Sequence, residues 1–135
     1  MKAGLTLVVP VYNEIGAIEN SVKHFKEIKR SCKDFNFEII IVNDGSTDGT
    51  ESVLKGLAKD KDIRILHHLK NRGYGAALKT GIKAAKYDYI AITDADATYP
   101  DERIPEFFRE IIEEDLDMLV GARIGDSVNI PLIRR

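Results

Sequence analysis

Asp94 and Asp96 stand two positions apart, directly after the apolar run Tyr89–Thr93. Residues i and i+2 of an extended segment project to the same side. Two carboxylates aimed at one point repel each other unless something positive lies between them. A hard divalent cation with oxygen ligands is the natural occupant. Mg²⁺ or Mn²⁺ takes one or two carboxylates and completes its shell with phosphate oxygens and water. An isolated Asp-x-Asp is otherwise a helix cap or a solvated acidic loop. Its position straight after a buried strand weighs against that blander alternative.

Other segments with chemical potential occupy equivalent places. Pro10-Val11-Tyr12-Asn13-Glu14 follows one apolar run, and Asn43-Asp44-Gly45-Ser46-Thr47-Asp48-Gly49 follows the next. Asn71-Arg72-Gly73-Tyr74-Gly75 and Gly121-Ala122-Arg123 follow two more. Taken singly, each has an ordinary explanation. Asn43-Asp44-Gly45 is a strong turn signal, with Asp44 suited to an Asx-turn. Tyr12 could cover the end of a sheet, and Glu14 suits the first turn of a helix. Gly73-Tyr74-Gly75 could let the backbone approach a phosphate at a helix start. It falls short of a dinucleotide fingerprint, because Leu78 stands where the third glycine belongs. His67 and His68 read as structural or solvated, His24 as exposed and Cys32 as inert. Lys23, Lys26, Lys29 and Arg30 read as a solvated helix face.

The elements that must position these residues alternate. Leu5–Val9 is a continuous apolar run, as expected of a strand covered on both faces. Ile15, Ile18, Val22, Phe25 and Ile28 recur at helical steps. Phe37–Val42 is a second strand. Val53, Leu54, Leu57 and Ala58 mark a second helix, with Asp48 and Glu51 as its capping box. Ile63–Leu66 is a short third strand. Leu78, Gly81, Ile82 and Ala85 share one face of a third helix. Tyr89–Thr93 is the fourth strand. Ile104, Phe107, Phe108, Ile111 and Ile112 form a fourth helix capped by Asp101. Leu116–Val120 is a fifth strand, and 121–135 reads as a polar remainder. This alternation predicts an α/β fold, a mostly parallel sheet with helices on both faces. Ligands of such sheets bind at the carboxyl ends of the strands. All five chemically interesting segments belong to that edge.

Composition narrows the function. The chain has 135 residues, which fits one domain. With 20 basic and 22 acidic residues, its net charge of −2 argues against a nucleic-acid partner. Its 44% hydrophobic content argues against disorder. The single cysteine, Cys32, forms no internal disulfide and suggests a reducing, cytoplasmic compartment. No apolar run reaches the roughly 18 residues that span a bilayer. The first run reads as a strand rather than a signal peptide.

Four segments together carry a resemblance: Val9–Glu14, Val42–Thr50, Asn71–Ala77 and Asp94–Asp96. In order and spacing they resemble the family 2 inverting glycosyltransferases, which have a Rossmann-like GT-A fold. Asp94–Pro100 and Gly121-Ala122-Arg123 are similar to the branch of dolichyl- and polyprenyl-phosphate hexose synthases. The resemblance implies that residues 1–135 are a nucleotide-sugar-binding glycosyltransferase domain, truncated at the acceptor half. It implies that Pro10, Tyr12 and Glu14 line the nucleotide pocket and that Asp44 hydrogen-bonds the base. Arg72, Gly73 and Gly75 would border the nucleotide and diphosphate. Asp94 with Ala95 would contact ribose or sugar, Asp96 would be the main metal ligand, and Arg123 would approach a phosphate. Thr98 stands where many dolichyl-phosphate mannose synthases have a metal-binding glutamine.

The implied reaction moves a hexose from a UDP-glucose or GDP-mannose type donor, with inversion and with Mg²⁺ or Mn²⁺. The implied acceptor is a polyprenyl or dolichyl phosphate, an anion that needs little general-base help. The resemblance also implies a longer enzyme at the cytoplasmic face of a membrane, with this part alone transferring little or no sugar. An apolar edge left uncovered would favour association between copies. Three alternatives remain at this point. A nucleotidyltransferase should carry a basic, glycine-rich loop where Tyr12-Asn13-Glu14 stands. A non-catalytic nucleotide-sugar-binding module is the second. A dinucleotide-dependent oxidoreductase, disfavoured by the placement of the glycines, is the third.

Overall fold

The computed structural model describes residues 3–96, 101–122 and 129–134. The first four strands are β1 (Gly4–Val11), β2 (Asn36–Asn43), β3 (Arg64–His67) and β4 (Tyr89–Ile92). Between them run the helices α1 (Ile18–Ser31), α2 (Thr50–Gly56) and α3 (Tyr74–Ala84). A 3-10 turn, Asp101–Arg103, leads into α4 (Ile104–Glu113), and β5 (Met118–Ala122) and β6 (Asn129–Arg134) complete the order.

One sheet holds all six strands, in the order β3-β2-β1-β4-β6-β5. β1 pairs in parallel with β2 and β4, and β2 in parallel with β3. β6 is antiparallel to both β4 and β5, so β5 points the same way as β1 to β4. The expected mostly parallel α/β sheet is what forms.

The pleat sorts the core into two layers. Leu5, Leu7, Val9, Ile39 and Ile41 face α1, α2 and α4, meeting Ile18, Val22, Phe25, Leu54, Ile104, Phe108 and Ile111. Val8, Ile40, Val42, Ile90 and Ile92 face α3. Helices therefore cover both faces, which explains why β1 and β2 lack polar alternation. α3 sits unusually close to the sheet. A Cβ on Gly81 would lie 2.4 Å from Val8 Cγ1, so only glycine fits there.

Four local expectations need correction. β6 lies in the stretch expected to be a polar remainder. Pro131 hides it, since proline cannot donate to a ladder. The β4 register, however, ends at Leu132, so Pro131 pairs with Val120 of β5 alone. β5 begins at Met118 rather than Leu116, because the Leu116 amide donates to Ile111 O and closes α4. Asp101 does not cap α4; it is 1% exposed and accepts from the Thr93 hydroxyl. The Asp48–Glu51 capping box does not form either. Gly49, at φ +100°, takes the cap position of α2, and Glu51 faces Lys55 at 3.5 Å.

Candidate active site

The parallel ladders continue past the strand ends and bring the loops together. Asp44 N–H donates to Val11 O at 2.8 Å, and His68 N–H to Asn43 O at 2.8 Å. The loops after β1 and β2 are then stitched by side chains. Asn13 adopts the left-handed region at φ 53°, a conformation asparagine tolerates better than most residues. Its amide donates to Ser46 Oγ, and its Oδ1 accepts from Thr47 N–H at 2.7 Å. Glu14 N–H donates to Thr50 Oγ1, and Ile15 N–H to Asp48 Oδ2. Asp48 also accepts from the amide and hydroxyl of Thr50. Those bonds, the hydroxyl's first, hold its carboxyl below the usual carboxylate range.

Asp44 is the anchor of the third loop. Asn43, rather than Asp44, supplies the Asx-type bond, accepting from Ser46 N–H at 3.2 Å. The Asp44 side chain therefore turns inward. Its Oδ1 lies 2.7 Å from His68 Nδ1 and accepts from Arg72 N–H at 2.9 Å, while Oδ2 accepts from Gly73 N–H at 2.9 Å. His68 Nε2 meets Thr80 Oγ1 of α3 at 2.8 Å. Burial pushes the Asp44 carboxyl up, but the His68 bond and the two backbone amides outweigh it and hold the carboxyl low. Gly45, at φ +70°, completes the joint: a Cβ there would lie 2.3 Å from the Lys70 carbonyl carbon.

β4 ends at Ile92, so Asp94–Asp96 is a coil entering a turn rather than an extension of the strand. Ala95 is buried in the core, Asp94 is half-buried and Asp96 exposed. Ser21 of α1 holds the segment from beneath, donating to Ala95 O at 2.7 Å.

A cleft of about 320 Å³ opens where these loops meet, lined by Pro10, Val11, Tyr12, Glu14, Asp44, Asn71, Tyr74, Ala77, Asp94, Ala95 and Asp96. Seven residues singled out from the sequence meet here: Pro10, Tyr12, Glu14, Asp44, Asp94, Ala95 and Asp96. Arg72, Gly73 and Gly75 do not line it. Two of them are turned by their amides onto Asp44, and Asn71 and Tyr74 represent that loop instead. Thr98 and Arg123 lie outside the described residues. His68, Asn13 and Thr80 were not picked out as site residues. Their pairing partners are distant in the chain, so no local pattern marks them.

The cleft gathers negative charge. Burial, then the charges of Asp96, Asp94 and Asp48, pushes the Glu14 carboxyl up. Burial and Asp94 likewise push the Tyr74 phenol up. Asp94 and Asp96 offer oxygen donors alone. Among the described residues, no group of three His, Cys, Asp or Glu side chains is close enough to hold a metal ion by itself. No helix there is long and apolar enough to cross a membrane.

The family model described as glycosyl transferase family 2 matches residues 6–135. The chain is 30% identical over 134 residues to the dolichol-phosphate mannosyltransferase of Pyrococcus furiosus, covering 97% of this chain and 37% of that protein. It is 36% identical over 131 residues to the poly-beta-1,6-N-acetyl-D-glucosamine synthase of Staphylococcus aureus, covering 97% of this chain and 29% of that protein. Among solved structures it is similar to a mannosyltransferase of Pyrobaculum calidifontis in complex with GDP-Man and Mn²⁺. The TM-score is 0.81 at 22% identity, over 100% of this chain and 45% of that one. The chain thus spans less than half the length of these three proteins.

Proposed function

The chain belongs to glycosyl transferase family 2, and from that membership we propose that its cleft binds the nucleotide-diphosphate part of a sugar donor. The hexose then passes with inversion to an acceptor, a polyprenyl or dolichyl phosphate. The family decides against the nucleotidyltransferase and oxidoreductase alternatives. The acceptor class draws its support from the Pyrococcus relative's name, and the donor class from the ligand of the Pyrobaculum structure.

The observation that carries the reading is the convergence of three carboxylates, Glu14, Asp94 and Asp96, on one cleft at the carboxyl edge of the sheet. Three like charges lining one cleft repel one another and would repel a diphosphate. An all-oxygen pair that leaves most coordination positions to its ligand suits Mg²⁺ or Mn²⁺. Asp96, with Asp94, would hold that ion. When bound, it would neutralise charge on the leaving diphosphate.

The protein's own residues do the rest. Tyr12, 46% exposed on the cleft wall, offers a ring face to a base. Three protein donors occupy Asp44, leaving about one of a carboxylate's roughly four acceptor positions for a base N–H. Asn71 and Tyr74 close the cleft at the start of α3. In this reading Arg123 would add charge-assisted hydrogen bonds to a phosphate, and Thr98 would be a further metal ligand.

Titration with UDP-glucose and GDP-mannose, with and without Mn²⁺, tests the reading. One donor should bind at least tenfold more tightly with the metal, and Asp96→Ala should abolish that gain. Metal-dependent binding unchanged in Asp96→Ala would overturn the metal assignment. Failure of both donors to bind would overturn the donor site itself.

A further inference from the structure

We propose that His68 is a positioning residue for the donor cleft, acting through Asp44 on the loop that carries Asn71 and Tyr74. The inference rests on the donor reading above. His68 itself does not line the cleft, and its side chain is 6% exposed. Its ring spans two elements: Nδ1 meets Asp44 Oδ1 at the end of β2, and Nε2 meets Thr80 Oγ1 on α3.

The geometry gives the ring a specific task. A carboxylate can rotate about its last side-chain bond, and rotation would take Oδ1 from Arg72 N–H and Oδ2 from Gly73 N–H. Both amides stand at the entrance to α3, where no helical carbonyl is available to them. The Nδ1–H bond to Oδ1 fixes the plane of the carboxylate, and the Thr80 contact fixes the plane of the ring. One imidazole thereby sets the start of α3 relative to β2. Asn71 and Tyr74, which line the cleft, flank the two clamped amides.

Two substitutions separate positioning from bulk. His68→Leu fills similar space without either nitrogen. In His68→Asn, the amide Nδ2 stands where Nδ1 stood, so the bond to Asp44 is retained. Two measurements apply to each variant: hydrogen exchange at the Arg72 and Gly73 amides of the free protein, and binding of UDP and of GDP in Mn²⁺. His68→Leu should speed exchange at both amides at least tenfold and weaken nucleotide binding at least tenfold. His68→Asn keeps the Asp44 bond but loses the Thr80 contact, so in both it should fall between wild type and His68→Leu, at least threefold from the latter. A merely structural role would make the two variants alike, and that result overturns the proposal.

Should His68→Leu not fold, Thr80→Val carries the test, since it keeps the ring but removes its Nε2 partner. Faster exchange at Arg72 and Gly73 with unchanged exchange at Ile41 supports the proposal, and unchanged exchange at all three overturns it. If the wild-type protein binds neither nucleotide, the donor reading falls and the proposal with it. If wild type binds and His68→Leu binds equally well, the positioning role falls alone.

Discussion

Asp101→Asn is expected to stabilise the protein at neutral pH and leave it unchanged in acid. Asp101 is 1% exposed and accepts a hydrogen bond from Thr93 Oγ1. Burial pushes its carboxyl from an ordinary 3.8 up to about 6; the Thr93 bond and nearby His24 pull against that, while Glu102 and Asp96 add to it. An acid raised in the folded state keeps a proton that the unfolded chain has already released. Stability therefore falls as pH rises between 3.8 and about 6, and the loss is complete above that window. A shift of this size, at about 1.36 kcal/mol per pH unit, corresponds to about 3 kcal/mol. Asparagine has the same shape, retains an oxygen for Thr93 and never ionises. Urea unfolding of both proteins at several pH values measures the gap between them. The gap should be near zero at about pH 3 and approach about 3 kcal/mol in favour of the variant by about pH 7.5. Taking the difference removes the other titrating groups, which the two proteins share. A gap that stays constant across that range would refute a raised Asp101 and the burial that causes it.

Other substitutions probe other parts of the molecule. Gly81→Ala places a methyl 2.4 Å from Val8 Cγ1, so α3 must lift from the sheet, at a cost of about 1–3 kcal/mol in urea unfolding. Asn13→Val forces a β-branched residue to φ 53° and removes its bond to Thr47 N–H. It should destabilise by about 1–2 kcal/mol and loosen the Tyr12 wall, seen as weaker UDP or GDP binding in Mn²⁺. Arg109→Ala breaks a two-pronged 2.9 Å pair with Asp34. Both groups lie in water, so the loss should stay below about 1 kcal/mol and shrink further in high salt.

Much of the scaffold, and the acidic half of the candidate site, was legible in the residue order. Runs such as Leu5–Val9 and Phe37–Val42 are apolar because both faces of their strands are covered, and that signal needs only neighbours in sequence. The place of Asp94 and Asp96 just past a buried strand was legible for the same reason, but the extended spacing expected of them gives way to a coil entering a turn. β6 was not, because Pro131 argues locally against a strand, and only its place beside β5, beyond the end of the β4 ladder, permits it. Asp101 read as a helix cap because capping is a local rule. Burial against Thr93, eight positions earlier, is not local. The sequence alone thus determined the alternating order of elements and the acidic pair at the edge of the sheet. Only the tertiary structure decided that Asp44 faces inward to clamp Arg72 and Gly73, that His68 braces it from just past β3, and that Asn13 ties two loops together. The pairs of that network lie 24 to 34 positions apart, so folding brings them together and no periodicity along the chain could announce them.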